Sequence, residues 1–346
     1  MSAELSLVTE FDHQVTGVAV SEGGRIFVNF PRWTEDSPIS VAEVVDGALR
    51  PYPDARWNEW RNARKNELSP GDRFVCVQSV VCDGRGGLWV LDPAAPGQQQ
   101  VIEGGPKLVR IDLSTDRAVQ TIAFDMQLAP QGSYLNDVRF HPNGRTAYIT
   151  DSGAKGALLV LDLQTGQARR VLDGHPSTQP EKDVVVKTDG KELRRPDGRG
   201  AEFAADSIEV TPDGAYVIYQ ALTGRTVYRV PTAALEDPSL SEEALGAKVE
   251  KLAEIGVSDG YWMDDRGRLF MSAVEENAVK VREPSGEVRT FVQDERLRWP
   301  DSFAQGPDGA IYVTTSHIQD SMWFKPESGP AIRTQLWRAE EQAQNA

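Results

Sequence analysis

One hairpin pattern recurs six times along this chain, and that repetition leaves few folds open to it. Its first copy runs Thr16-Gly17-Val18-Ala19-Val20-Ser21-Glu22-Gly23-Gly24-Arg25-Ile26-Phe27-Val28. The others begin at Gln78, Asn136, Asp206, Asp259 and Asp301. In every copy a glycine stands eight residues after the first position: Gly24, Gly86, Gly144, Gly214, Gly267 and Gly309. Apolar runs flank each Pro/Asp/Asn/Gly cluster, and glycine supplies the positive φ that such tight turns need. Each copy therefore reads strand, turn, strand. Further strand-like runs follow, as in Lys107–Ile111 with Ala118–Ile122 and Ala157–Leu161 with Ala168–Leu172. Four strands per unit, at 42–70-residue spacing, predict an all-β six-bladed β-propeller with four-stranded antiparallel blades. One surplus strand at the start, Leu5–Phe11, is expected to pair beside Gln335–Arg338 and close the ring, making residues 1–346 a single domain.

The charge balance narrows the partners. With 52 acidic against 37 basic residues, the net charge is −15. Nucleic acid and anionic membranes both need clustered Lys and Arg, so neither is an expected partner. No run approaches the roughly 20 apolar residues of a membrane span. The Met1-Ser2-Ala3-Glu4 start shows no basic region followed by an apolar run. A cytoplasmic monomer is expected from the chain as written, and a secreted or periplasmic protein if a leader was trimmed. Cys76 and Cys82 fall in what reads as one strand, about 20 Å apart at ~3.3 Å per residue, which is beyond disulfide reach. Two buried thiols are expected.

The long insertions, residues 61–72, 92–106, 125–135, 174–205 and 316–334, fall between blades or between the second and third strands of a blade. In a propeller both loop types open on the face where the innermost strand begins, and loop variation on one face of a rigid scaffold carries function. Residues 184–193 read as a small hairpin with an Asp189-Gly190 turn, placed to cover the channel mouth.

The first residue of each copy begins an innermost strand near that mouth. These residues are Thr16, Gln78, Asn136, Asp206, Asp259 and Asp301, all polar and three of them carboxylates. At ~5 Å and an effective dielectric near 20, each carboxylate pair would cost about 3 kcal/mol. Protonation or a cation relieves that cost. Oxygen donors without His or Cys favour a hard ion, and calcium (Ca²⁺) suits the irregular set better than Mg²⁺. The expected ligands are Asn136, Asp206, Asp259 and Asp301. The bland alternative is that these groups hold backbone amides or hydrate the channel. Among the four histidines, His13 reads as structural and His141 as a solvated turn residue on the opposite face. His175 and His317 lie in functional-face loops, and His317 is the better candidate for a general base. Trp262 and Trp299 read as core. Trp33 and Trp323, in upper-face loops, are candidate ligand platforms, with Thr16, Gln78 and Asp137 as further substrate contacts.

Phe30-Pro31-Arg32-Trp33, Leu88-Trp89-Val90-Leu91-Asp92, Ser133-Tyr134-Leu135-Asn136-Asp137, Ala147-Tyr148-Ile149-Thr150-Asp151-Ser152-Gly153 and Trp299-Pro300-Asp301-Ser302 resemble the Yellow/major royal jelly protein family, in its bacterial branch. The resemblance implies kinship with the regucalcin/gluconolactonase-like propellers, where acids and amides at the strand starts hold a central Ca²⁺. Carried over by position, Asn136, Asp206 and Asp259 match ligands of the third, fourth and fifth blades. The first blade of that group offers Glu where this chain has Thr16, and Asp301 is the compensating carboxylate. Two functions follow as expectations. One is a metal-dependent hydrolase of small lactones or esters, with Asp206, Asp301 or His317 taking a proton from water. The other is a non-catalytic binder of an amine or catechol amine, or a Yellow-like dopachrome tautomerase.

Overall fold

The computed structural model describes residues 3–341. Each recurring hairpin supplies the two inner strands of one four-stranded sheet, and the six sheets are the blades of a propeller. All six turn glycines take positive φ, between 71° and 82°. Five blades are meanders in chain order. They comprise residues 18–51, 79–123, 135–171, 205–254 and 261–293, with strands hydrogen-bonded to their sequence neighbours. The sixth takes Pro300–Gln305, Ile311–Thr315 and Thr334–Glu341 from the C-terminal end, and its outermost strand is Ala3–Phe11. Leu5 stands opposite Ala339, Leu7 opposite Trp337 and Phe11 opposite Thr334. The expected closure is present, and it leaves no open edge between first and last blades.

Blades pack face to face, so the inner strands lose the alternation of a half-solvated sheet. Gly87–Asp92 is buried at every position. Tyr148, Leu158, Ile208, Val217 and Tyr219 fill the seam between the third and fourth blades. Phe270, Val279, Phe303, Val313 and Trp337 do the same between the fifth and sixth. Each such side chain contributes roughly 1.5–3 kcal/mol of burial.

Three local expectations are refined. The strand of the second blade begins only at Ser79, so Cys76 lies in the segment leading into it rather than in it. Both cysteines are free; Cys76 is buried, whereas Cys82 is partly exposed. His141 stands at its turn and is only partly exposed. Its Nε2 meets the Gly214 carbonyl at 3.1 Å, tying the turn of one blade to that of the next. The small hairpin forms, with Lys187–Thr188 paired to Lys191–Glu192 across the Asp189-Gly190 turn. Among the described residues no helix is long and apolar enough to cross a membrane.

Candidate functional site

The ring residues are fixed through their backbones by hydroxyls of the preceding blade. Thr16 Oγ1 donates to the Gln78 carbonyl (3.0 Å), Thr150 Oγ1 to that of Asp206 (2.7 Å), and Ser207 Oγ to that of Asp259. Thr314 Oγ1 donates to the carbonyl of Thr16 (2.5 Å) across the closing seam. Small residues next to the ring permit this approach. A Cβ on Gly260 would stand 1.9 Å from the Asp301 carbonyl oxygen. In the third, fourth and sixth blades the pairing register shifts at Leu135/Val138, Ala205/Ser207 and Pro300/Phe303. Such bulges re-aim side chains at strand ends.

The side chains so placed converge. Gln78, Asn136, Asp206, Asp259 and Asp301 line one small cavity of about 10 Å³, room for about one water-sized body. Asn136 Nδ2 donates to Asp206 Oδ2 (2.6 Å) and to Ser152 Oγ (2.9 Å). Asp259 Oδ2 accepts from the Trp299 indole (2.6 Å). Asp301 Oδ1 accepts from Ser302 Oγ (3.0 Å), but Asp301 Oδ2 is buried without a partner. The buried hydroxyl of Ser316 lies close by, beyond good hydrogen-bond geometry but near enough to Asp301 to lower its pKa slightly against the effect of burial.

Burial pushes all three carboxyls up, because the charged form loses its hydration. Asp206 and Asp301 are raised well above the ordinary range, burial acting first and the charge of Asp259 next. Asp259 rises to about 6, chiefly by burial, with Trp299 and Asp206 opposing. The contact between the two raises Asp206 and lowers Asp259, so a proton is held more tightly at Asp206 than at Asp259. The pair titrates as a unit.

A roof of insertion residues overhangs this cavity. Trp33, Tyr134, Val186, Leu193, Phe203, Trp299, Ile318 and Phe324 belong to one apolar cluster drawn from loops all round the upper face. Trp33, Phe203, Leu222 and Ile318 are its share of the cavity wall. Beside it lies a cleft of about 780 Å³, lined by Gly132, Ser152, Lys182, Val184, Arg195 and Arg199 among others. Cleft and cavity share Gln98, Ser152 and Phe203, so these three side chains are the partition between them.

Other candidates sit elsewhere. Thr16 is fully buried, and its hydroxyl is occupied by the Gln78 carbonyl and by Asn29 Nδ2. His317 Nε2 meets Gln335 Oε1 at 3.0 Å, and the cavity wall there comes from Ile318 instead. Trp323 stacks on Trp33 with ring centroids 5.1 Å apart, one layer outside the cavity. Asp137 points down the channel. It accepts from Ser79 Oγ (2.8 Å) and pairs with Arg139 Nη1 (2.8 Å), whose guanidinium also holds Glu209 (3.1 Å). That lower space, about 30 Å³, lies among Val18, Val80, Asp137, Arg139, Trp262 and Phe303.

Two residues missed in the sequence complete the site. The Tyr134 hydroxyl donates to Gln78 Oε1 (2.8 Å) while accepting from Trp33 Nε1 (2.5 Å). Trp299 stands in the left-handed region at φ 55°, a costly conformation for a bulky residue, and from there its indole reaches Asp259. Both stand two residues before a ring position, a regularity that the chain displays and that could have flagged them.

The donor chemistry fits a hard cation. Oxygen atoms of Asp206, Asp259 and Asn136 surround a water-sized space, and Asp301 Oδ2 lacks a partner. Among the described residues no three Asp, Glu, His or Cys side chains are grouped as a ligand set. An ion would thus take two carboxylates plus amide oxygen, and Asn136, now giving its NH₂ to Asp206, would turn its Oδ1 inward.

Residues 75–326 match the family described as major royal jelly protein. No curated protein matches the sequence. Among solved structures, the chain is similar to a gluconolactonase from Xanthomonas campestris, with TM-score 0.57 and 12% identity over 98% of this chain and 89% of that one. It is also similar to a luciferin-regenerating enzyme, with TM-score 0.58 and 10% identity over 99% and 96%. Virginiamycin B lyase from Staphylococcus aureus aligns with TM-score 0.51 and 12% identity over 99% and 100%. At such identities the likeness speaks for the fold alone.

Proposed function

This chain belongs to the major royal jelly protein family, and from that premise we propose that it is a metal-dependent hydrolase of small lactones or esters, working at the carboxylate cavity with Ca²⁺ as its ion. One observation carries the reading: Asp301 Oδ2 is buried with no partner in a cavity that already holds Asp206 and Asp259. A buried unpaired acceptor is costly unless something arrives to use it.

Asp206, Asp259 and Asn136 would hold the ion, which when bound supplies the positive charge that polarises an acyl carbonyl. Asp301, deprotonated when the ion offsets the charge of its neighbours, would act as general base. It takes a proton from water as the water oxygen bonds to the acyl carbon and the ring C–O bond breaks, and the proton then passes to the leaving oxygen. Trp299 positions Asp259, and Tyr134 positions Gln78. Substrate would enter through the large cleft, with Gln98 and Phe203 turning aside.

A second reading rests on the aromatic walls Trp33 and Phe203 beside the carboxylates. They suit a non-catalytic amine or catechol-amine binder, or a tautomerase, with the ammonium in place of the metal ion. One experiment separates the two. Protein dialysed against EGTA is titrated calorimetrically with Ca²⁺ and with dopamine, and δ-gluconolactone and phenyl acetate turnover is then measured with and without Ca²⁺. The hydrolase reading expects Ca²⁺ binding and turnover that depends on it. Dopamine binding without Ca²⁺ binding or turnover supports the second reading and defeats the first.

A further inference from the structure

A cation without a counter-ion stands in the wall of the upper-face cleft. Arg195 is half-buried, its guanidinium carbon 5.4 Å from the Phe324 ring centroid and 5.9 Å from that of Trp323. Among the described residues no hydrogen bond or ion pair engages that guanidinium. Several other arginines are matched. Arg194 pairs with Glu192 at 2.7 Å, Arg199 with Asp197 at 2.7 Å, Arg225 with Glu275 at 2.7 Å, and Arg298 with Asp189 and Asp320. Asp197 and Glu202 lie within electrostatic reach without touching it. Burial and Arg199 together hold its affinity for a proton below the ordinary arginine value. The fork is kept in place by its own loop, where the Arg195 amide donates to the Arg199 carbonyl (2.7 Å), and by stacking on two rings. Its charge is consequently available without a large cost of ordering the side chain.

We propose that Arg195 is the anchor of an anion subsite, and that the cleft binds small molecules bearing a carboxylate. The guanidinium fork matches a carboxylate in two parallel hydrogen bonds. Lys182, also in the cleft wall, adds a second positive charge, and Val184 and Phe203 supply apolar contact for the body of the molecule. The cleft wall includes Ser152, which accepts from the ring residue Asn136, so the cleft that holds Arg195 adjoins the carboxylate cavity. The subsite depends on the cleft alone and not on the ion proposed above.

The test uses the full chain dialysed against EGTA, with benzoate and its neutral isostere benzamide as probes at constant ionic strength. Calorimetry should show wild type binding benzoate at least about tenfold more tightly than benzamide. Arg195→Gln should abolish that preference, Arg195→Lys should keep part of it, and Ca²⁺ affinity should be unchanged in both. No benzoate binding by wild type, or an Arg195→Gln protein that still prefers benzoate, overturns the proposal. If Arg195→Gln fails to fold, the comparison of Arg195→Lys with wild type decides: an unchanged benzoate preference counts against a fork-specific carboxylate subsite.

Discussion

The two ends of the central channel solve the same electrostatic problem in opposite ways. In the lower half, Asp137 and Glu209 clasp Arg139, and the guanidinium spends its remaining hydrogens on the carbonyls of Val138 and Tyr261. That network carries its own cation. In the upper half, Asp206, Asp259 and Asp301 share one cavity with no basic side chain in its wall. Both networks are largely buried, and both draw on the innermost strands Leu135–Phe140 and Ala205–Val210. The upper one is neutralised only by protons, or by something brought from solution. A fold that can place an arginine beside carboxylates at one level, and places none at the next, leaves the upper carboxylates available to a ligand. The lower network is structural by the same logic, since its charges are already satisfied.

Breaking the lower network should have the largest effect. Arg139→Met leaves the buried Glu209 and the mostly buried Asp137 without their cation, at an expected loss of about 3–5 kcal/mol in urea unfolding. A loss below about 1 kcal/mol would mean that the lower channel is wetter than its packing indicates, and the contrast would fail. The upper ring should respond in the opposite direction. Asp259→Asn keeps an oxygen for Trp299 and removes one negative charge, so in EGTA near pH 7 stability should rise by roughly 1–3 kcal/mol. In saturating Ca²⁺ the same change should destabilise relative to wild type and lower any lactone turnover at least tenfold. Stabilisation in both buffers would remove the cation reading and leave a purely protonic ring.

Much of this contrast was legible in the chain. The eight-residue interval from ring position to glycine located every blade, and Leu5–Phe11 marked the closing strand. Five of the six ring positions, all but Thr16, line one cavity, because identical places in a repeat become equivalent places round an axis. What escaped was the direction of individual side chains. Asp137 reads in the sequence as a substrate contact, yet after the register shift at Leu135/Val138 it is directed down towards Arg139. His317 sits in the right loop, but its backbone is left-handed (φ 50°) and its ring is directed at Gln335. Thr16 has the right position and a hydroxyl already spent on the next blade. The roof was harder still. Residues from loops hundreds of positions apart, such as Trp33 and Phe324, meet in it, and no local pattern announces such a meeting.

The smallest expected effect sharpens the reading of the ring by pH. Each ring carboxyl has its pKa raised on folding, so its contribution is full below the unfolded value and fades as pH rises through the folded one. For Asp259 that window runs from its ordinary value of 3.8 to about 6. Asp206 and Asp301 extend the loss to higher pH. In EGTA the melting temperature should fall across this range. In saturating Ca²⁺ it should not, because the ion binds the deprotonated ring. His13 adds a background of the same sign. Its Nδ1–H donates to Glu35 at 2.8 Å, and that hydrogen bond raises the imidazole above 6.5. The tie is therefore complete below pH 6.5 and is lost as pH climbs through the raised value. It is half-exposed, so its worth is a few tenths of a kcal/mol at about pH 6 and nothing well above that. His13→Gln should remove only this upper, Ca²⁺-independent step and leave the fall between about pH 4 and 6 intact. Should His13→Gln instead flatten the whole profile, the slope belongs to the closing seam near the N-terminal strand, and the ring carboxyls are already neutral throughout.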